Sequence, residues 1–185
     1  PDLNEDYNRH PLNQYDFNHI MGFMLPHPYD LLPSSASVVR MMRGGTVLFR
    51  RNDPVTAMYF LRAGRVDLVR YTDNGDEVVI HRAGPGESFA EAAIFSEFYH
   101  CDALAAEQSE VVKIAKAAVQ DMIRTNPDFA LAISAHFARQ IQNFRRRLEI
   151  LAIRSAMDRV FTAVAEGLLS GDVKGFAAQI GLSHE

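Results

Sequence analysis

The sequence predicts an α+β chain in which an antiparallel β-roll precedes one long helix and the opening of a helix-turn-helix. Three observations predict it. Short apolar runs separated by Gly, Pro, Asn and Asp turns fill residues 37–114. An uninterrupted, capped helical pattern runs from Asn126 to Ile153. The segment GFAAQIGLS near the end reads as a helix, a glycine turn and a new N-cap at Ser183. With 185 residues, 48% hydrophobic and 23% charged, the chain has room for one full domain and part of a second, which sets aside disorder and a rod. Its net charge of -4 argues against nonspecific coating of nucleic acid and leaves a local DNA-reading surface open. No apolar run approaches membrane length, and a single cysteine, Cys101, cannot form an internal disulfide. Both point to a cytoplasmic protein with no membrane partner.

Four segments follow in chain order: 1–36, a β-roll at 37–125, a dimerisation helix at 126–153, and the start of a DNA-binding unit at 154–185. Residues 1–36 are polar and broken by prolines; DFNHIMGFML offers a short helix, and His10, His19 and His27 lack a tight metal spacing. In the roll, VVRMM, TVLFR, AMYFLR, RVDLVRYT, EVVIHRA and EVVKIA each have strand length and strand composition. Asn74-Gly75 between two of them is the strongest hairpin signal. Strands this short and close favour a jelly roll, because parallel pairing would need helices between them. KAAVQDMIRT (116–125) is a short helix leading into the long one.

In the long helix Asn126 caps, Pro127 suits the first turn and Asp128 faces the positive end of the dipole. Phe137, Ile141, Phe144, Leu148 and Leu151 recur at steps of four and three, a heptad seam between charged shoulders. Roughly 40 Å of helix at 1.5 Å per residue exceeds what one small domain covers. The seam therefore predicts a homodimer interface. Ser155 then caps an amphipathic helix, AMDRVFTAVAEGLL, expected to end near Gly171.

The segments GGTVLFRRNDPVTAMYFLRAGRVDLVR (44–70), GPGESFAEAAIF (84–95), NPDFALAISAHFARQI (126–141) and FAAQIGLSHE (176–185) together resemble the Crp/Fnr superfamily of bacterial transcription regulators. Glycines 45, 64, 75 and 86 fall where that family turns. The resemblance implies an effector-holding roll, paired long helices and a C-terminal winged helix-turn-helix, incomplete here, that binds operator DNA. It assigns Ser183 to a phosphate contact and Glu185 to base reading, with His184 where many members have Arg. The family's hairpin before the helix-turn-helix has no room in SGDVKG; either it is absent or residues are missing near 170–174, and the recognition helix should continue past Glu185.

Members that bind cyclic nucleotides use a Gly-Glu pair, then Arg-Ser ten residues after the Glu. Here Ala90-Glu91 and Cys101-Asp102 occupy those places, and Phe144-Arg145 stands where hydroxyls meet the purine. The cyclic phosphate would lose its Arg and meet a carboxylate, so the resemblance is to the non-cyclic-nucleotide subgroup. FAEAAIF is similar to non-nucleotide members, some of them haem-linked. One cysteine is too few for the four-cysteine iron–sulfur members. The expected effector pocket is Glu91, Tyr99, His100, Cys101, Asp102, Phe144 and Arg145. Cys101 is the expected sensor of an oxidant, reactive sulfur or a soft metal, its thiolate favoured by His100 or Arg145 and opposed by Asp102. The alternatives are an atypical nucleotide held by Arg145 and haem ligated by His100 or Cys101, which reach one iron only if the strand bends between them. His100 and Cys101 are likewise the metal candidates. A cupin enzyme using His81, Glu87, Glu91 and His100 lacks the cupin spacing and leaves the seam unexplained. A cyclic-nucleotide module without DNA output leaves the helix-turn-helix unexplained.

Overall fold

The structure is a computed structural model and describes residues 25–167 together with 173, 176, 177 and 180–182. The proposed helix at 16–25, His10, His19, the 170–175 segment and Ser183, His184 and Glu185 lie outside the described residues, Leu25 and Val173 apart. Eight strands form the roll: β1 Ser37–Met42, β2 Val47–Phe49, β3 Ala57–Ala63, β4 Val66–Tyr71, β5 Glu77–Ala83, β6 Ser88–Phe89, β7 Asp102–Ala105 and β8 Ser109–Ala115. They make two antiparallel sheets, in the orders β1-β8-β3-β6 and β2-β7-β4-β5. Among the described residues, three helices with both ends defined follow: α1 Lys116–Thr125, α2 Pro127–Ala152 and α3 Ala156–Ala165.

Strand alternation explains how one sheet serves two cores. Along β3, Ala57, Tyr59 and Leu61 point between the sheets, beside Phe49, Val66, Phe89 and Tyr99. Met58 and Phe60 point the other way, where Val119 of α1 and Phe129 and Ile133 of α2 cover them. Both faces are dry, so β3 reads as an unbroken apolar run. Each such side chain, fully buried, contributes roughly 1.5–3 kcal/mol. Asn74-Gly75 does close the β4–β5 hairpin, with Gly75 in the left-handed region at φ +87°. At Gly64 a side chain is barred twice: φ is +85°, and a Cβ would lie 2.4 Å from the Gln108 carbonyl oxygen.

The Asn126 side chain accepts from the Phe129 N–H at 3.0 Å, and that of Ser155 from the Asp158 N–H at 3.2 Å, so both helix starts are capped. The helix after Ser155 was expected to reach Gly171, but it ends at Ala165, where Glu166 leaves the helix and Gly167 turns left-handed at φ +69°. Ile150 near the end of α2 packs with Ala163, Phe176 and Ile180 in a separate apolar cluster. Among the described residues, no helix is long and apolar enough to cross a membrane.

Candidate functional site: a cleft between the roll and the long helix

A cleft of about 750 Å³ opens between the roll and α2. Phe49, Leu68 and Phe89 come from the sheets, Tyr99 from the segment before β7, Ala90–Ala93 from the turn after β6, and Phe137, Ile141 and Phe144 from the helix. Helical spacing sets the helix wall. His136, Gln140, Phe144 and Arg147 follow at steps of four, four and three, so one face of α2 looks into the cleft.

Five polar residues lock the base of the cleft to the helix. Ser88 Oγ accepts from the Tyr29 hydroxyl at 3.0 Å and donates to Glu91 Oε1. A serine hydroxyl has one proton, and Glu91 receives it, so His136 Nε2, 3.2 Å away, is the donor of that pair. Gln140 Nε2 donates to the same Glu91 oxygen. Burial holds the His136 imidazole below its ordinary value; Glu91 opposes this and Arg139 adds to it. Burial likewise drives the Tyr29 phenol far up, with Ser88 opposing. Farther out, Glu87 Oε2 lies 3.6 Å from His81 Nε2 and accepts from the Gly84 N–H, while Oε1 stands 3.8 Å from Arg147 Nη2. Burial would raise the Glu87 carboxyl, but His81, the Gly84 N–H and Arg147 together outweigh it and leave the pKa lowered.

Of the expected pocket, Glu91, Tyr99, His100, Cys101 and Phe144 do line the cleft. Tyr99 is also a structural member: its hydroxyl donates to the Ala57 carbonyl at 2.6 Å and its ring stacks on Phe49 with centroids 3.8 Å apart. Two expected residues do not line it. Asp102 begins β7 and points to the opposite side from Cys101, where its carboxylate accepts from the Arg51 N–H at 2.7 Å. An effector beside Cys101 therefore meets a thiol, not the anticipated carboxylate. Arg145 is exposed, about 100° around the helix from Phe144, and Arg147 is the cation that faces the cleft.

The chain bends at residues 100 and 101 before β7 starts, and this lets His100 and Cys101 both border the cleft despite being neighbours. His100 is exposed, with Nε2 3.2 Å from Ser96 Oγ. The Cys101 thiol is pushed up by burial and by Asp102, with Arg70 pulling weakly the other way. Neither expected thiolate partner acts on it. Among the described residues, no group of three His, Cys, Asp or Glu is placed to hold a metal ion. Ala90, where the nucleotide-binding pattern has Gly, keeps a glycine-like φ of +60°.

The seam residues divide. Phe137 is half-buried, its ring 6.5 Å from that of Phe95, while Ile141, Phe144, Leu148 and Leu151 are 44–66% exposed. Ile141 and Phe144 thus belong to both the cleft and the exposed stripe.

The cyclic nucleotide-binding domain family matches residues 39–126, the roll and the helix after it. The chain is 29% identical over 133 residues to the cyclic AMP receptor protein of Thermus thermophilus, covering 71% of this chain and 62% of that one. It is 24% identical over 140 residues to the transcriptional activator protein anr of Pseudomonas aeruginosa, covering 76% and 57%. The chain is thus similar to regulators of the Crp/Fnr type, through a cyclic nucleotide-binding domain match over its roll. The sensor domain of the transcriptional regulator DNR from Pseudomonas aeruginosa shares the fold, with a TM-score of 0.57 at 22% identity over 76% of this chain and 98% of that one. The chain spans 52–62% of the length of the relatives named CRP or cyclic AMP receptor protein. The chain retains the Glu of the nucleotide pattern but commits it to Ser88 and Gln140, and it has Cys101 where that pattern has Arg.

Proposed function

We propose that this chain is the sensing and dimerising part of a DNA-binding transcription regulator, answering a small signal other than a standard cyclic nucleotide. The observation that carries it is the wall shared by cleft and stripe: Ile141 and Phe144 face both. A molecule seated in the cleft presses on the same helix face that would meet a second copy, so occupancy can bias how two helices pair. Transcriptional output and operator DNA come to this chain from its relatives' names and from the Ser183–Glu185 pattern. Cys101 in place of the pattern's Arg, and the engaged Glu91, oppose a cyclic phosphate and a ribose.

Within this reading, oxidant, reactive sulfur or Cu(I) would act through Cys101. Its raised pKa leaves little thiolate at neutral pH, which favours reversible occupancy of the cleft over thiol chemistry. Haem is the second reading, favoured by the bend that brings both His100 and Cys101 to the cleft.

The test is gel shift of the full-length protein on genomic fragments, calorimetry with cyclic AMP, and absorption spectra before and after haem addition. Retained fragments, no cyclic AMP heat and no Soret band are the expected results. Cyclic AMP binding at micromolar concentration, or no retained fragment, would overturn the proposal; a Soret band lost in His100→Ala or Cys101→Ser would install haem. Cys101→Ser is expected to respond to peroxide, polysulfide and Cu(I) as the parent does.

A further inference from the structure

The cleft joins two spaces of opposite chemistry. The large one is apolar, floored by Phe49, Leu68, Phe89 and Tyr99, and its inner polar groups are already bonded to one another. A smaller space of about 320 Å³ lies beyond Phe144, between Val79–Arg82 of β5 and Leu148 and Leu151 of α2. Ile80, His81, Phe144 and Arg147 line both spaces and so form the border. Arg147 stands at the border and Arg82 in the smaller space, with the Glu87 carboxylate beside Arg147 and that of Glu91 bonded to Ser88 and Gln140 deeper in the large space. The Glu87–Arg147 pair is loose at 3.8 Å, with the arginine side chain 30% exposed. A well-made pair of this kind closes to about 2.7–2.9 Å, so the guanidinium fork keeps donors for another anion.

We infer that the effector is an amphipathic carboxylate, its acyl or aryl body in the large space and its carboxylate on Arg147. The inference rests on the cleft being the effector site. A neutral head would give Arg147 nothing that water does not. An amine would face Arg147, while Glu87 already stands by Arg147 and accepts from Gly84 and Glu91 already accepts from Ser88 and Gln140. An anion instead competes with Glu87 for a cation it holds weakly. The head would then sit on α2 between Phe144 and Leu148, at the exposed stripe.

The experiment is calorimetry of the full-length protein with decanoate, decanol and decylamine, and with 2-naphthoate to separate acyl from aryl bodies. Decanoate or naphthoate should bind at least tenfold tighter than decanol, with decylamine weakest. Arg147→Gln should remove that preference and leave decanol unchanged. Ala92→Trp, which adds bulk at an exposed position on the large space, should weaken acid and alcohol alike. Equal acid affinity in the parent and in Arg147→Gln would overturn the inference, as would no binding of either acid. In those cases, a change in DNA retention caused by Ala92→Trp would keep the cleft as the effector site for other chemistry. No change there would remove the site as well.

Discussion

Removing one hydroxyl tests whether the roll and the long helix are tied as described. Ser88→Ala leaves Tyr29, 1% exposed, with a donor and no acceptor, and leaves the half-buried His136 Nε2–H in the same state. A buried polar group stripped of its partner costs about 1–3 kcal/mol, and His136, partly hydrated, belongs at the low end. The expected loss is therefore about 2–4 kcal/mol. At roughly 2–4 °C per kcal/mol for a chain of this size, the Tm should fall by about 4–16 °C. Glu91 keeps its Gln140 donor, so it adds little. The assay is urea unfolding followed by circular dichroism, with Tyr29→Phe and the double mutant closing a cycle. Tyr29→Phe alone should cost about 1 kcal/mol and should cost less once Ser88 is gone. A Ser88→Ala protein within about 0.5 kcal/mol of the parent, or two additive substitutions, would refute the network.

Leu148→Glu places a charge on the exposed stripe, where an unpaired charge in an apolar interface costs several kcal/mol in order of magnitude. Sedimentation should show monomer at micromolar concentration, and a persistent dimer would place the interface elsewhere. For pH, the folded His136 pKa lies below its ordinary 6.5, so the folded chain binds fewer protons than the unfolded one across that window. Its stabilisation is full above that ordinary value and declines as pH falls toward the folded value. His136→Asn should flatten this slope in denaturant titrations between neutral pH and pH 5. Glu87, lowered from 4.5, adds a separate loss only below that value, which Glu87→Gln should remove.

The elements legible in the sequence are those with strong local signals. Asn74-Gly75, the caps Asn126 and Ser155, and six of the strands announce themselves through turn chemistry and composition. The strands β6 and β7 do not: Ser88–Phe89 is too short for alternation, and Asp102–Ala105 is small and helix-tolerant. In the site, adjacency misled. Arg145, Arg146 and Arg147 read alike as charged shoulders, yet one is in solvent, one contacts Glu166 at 2.6 Å and one faces the cleft. The spacing of His136, Gln140, Phe144 and Arg147 carried a usable signal, a polar face beside the apolar seam. Tyr29 had none, because its hydroxyl meets Ser88 across 59 residues of chain.

The long helix is held at two places of unequal firmness. Phe129 and Ile133 sink into the roll, whereas Ile150 belongs to the small cluster with Ala163, Phe176 and Ile180. From Ile133 to Ile150 is roughly 25 Å at 1.5 Å per residue, and the cleft contacts lie between. On the proposed reading, an effector in the cleft would push the helix near mid-span, as a lever with its fulcrum in the roll. A tilt of about 5° at the fulcrum carries the far end about 2 Å on that geometry. Such a rotation asks for sub-ångström movement beside Phe137 and larger travel only at the tip. On that reading, small strain at the cleft would become a displacement large enough to re-aim whatever is fastened beyond Ile150.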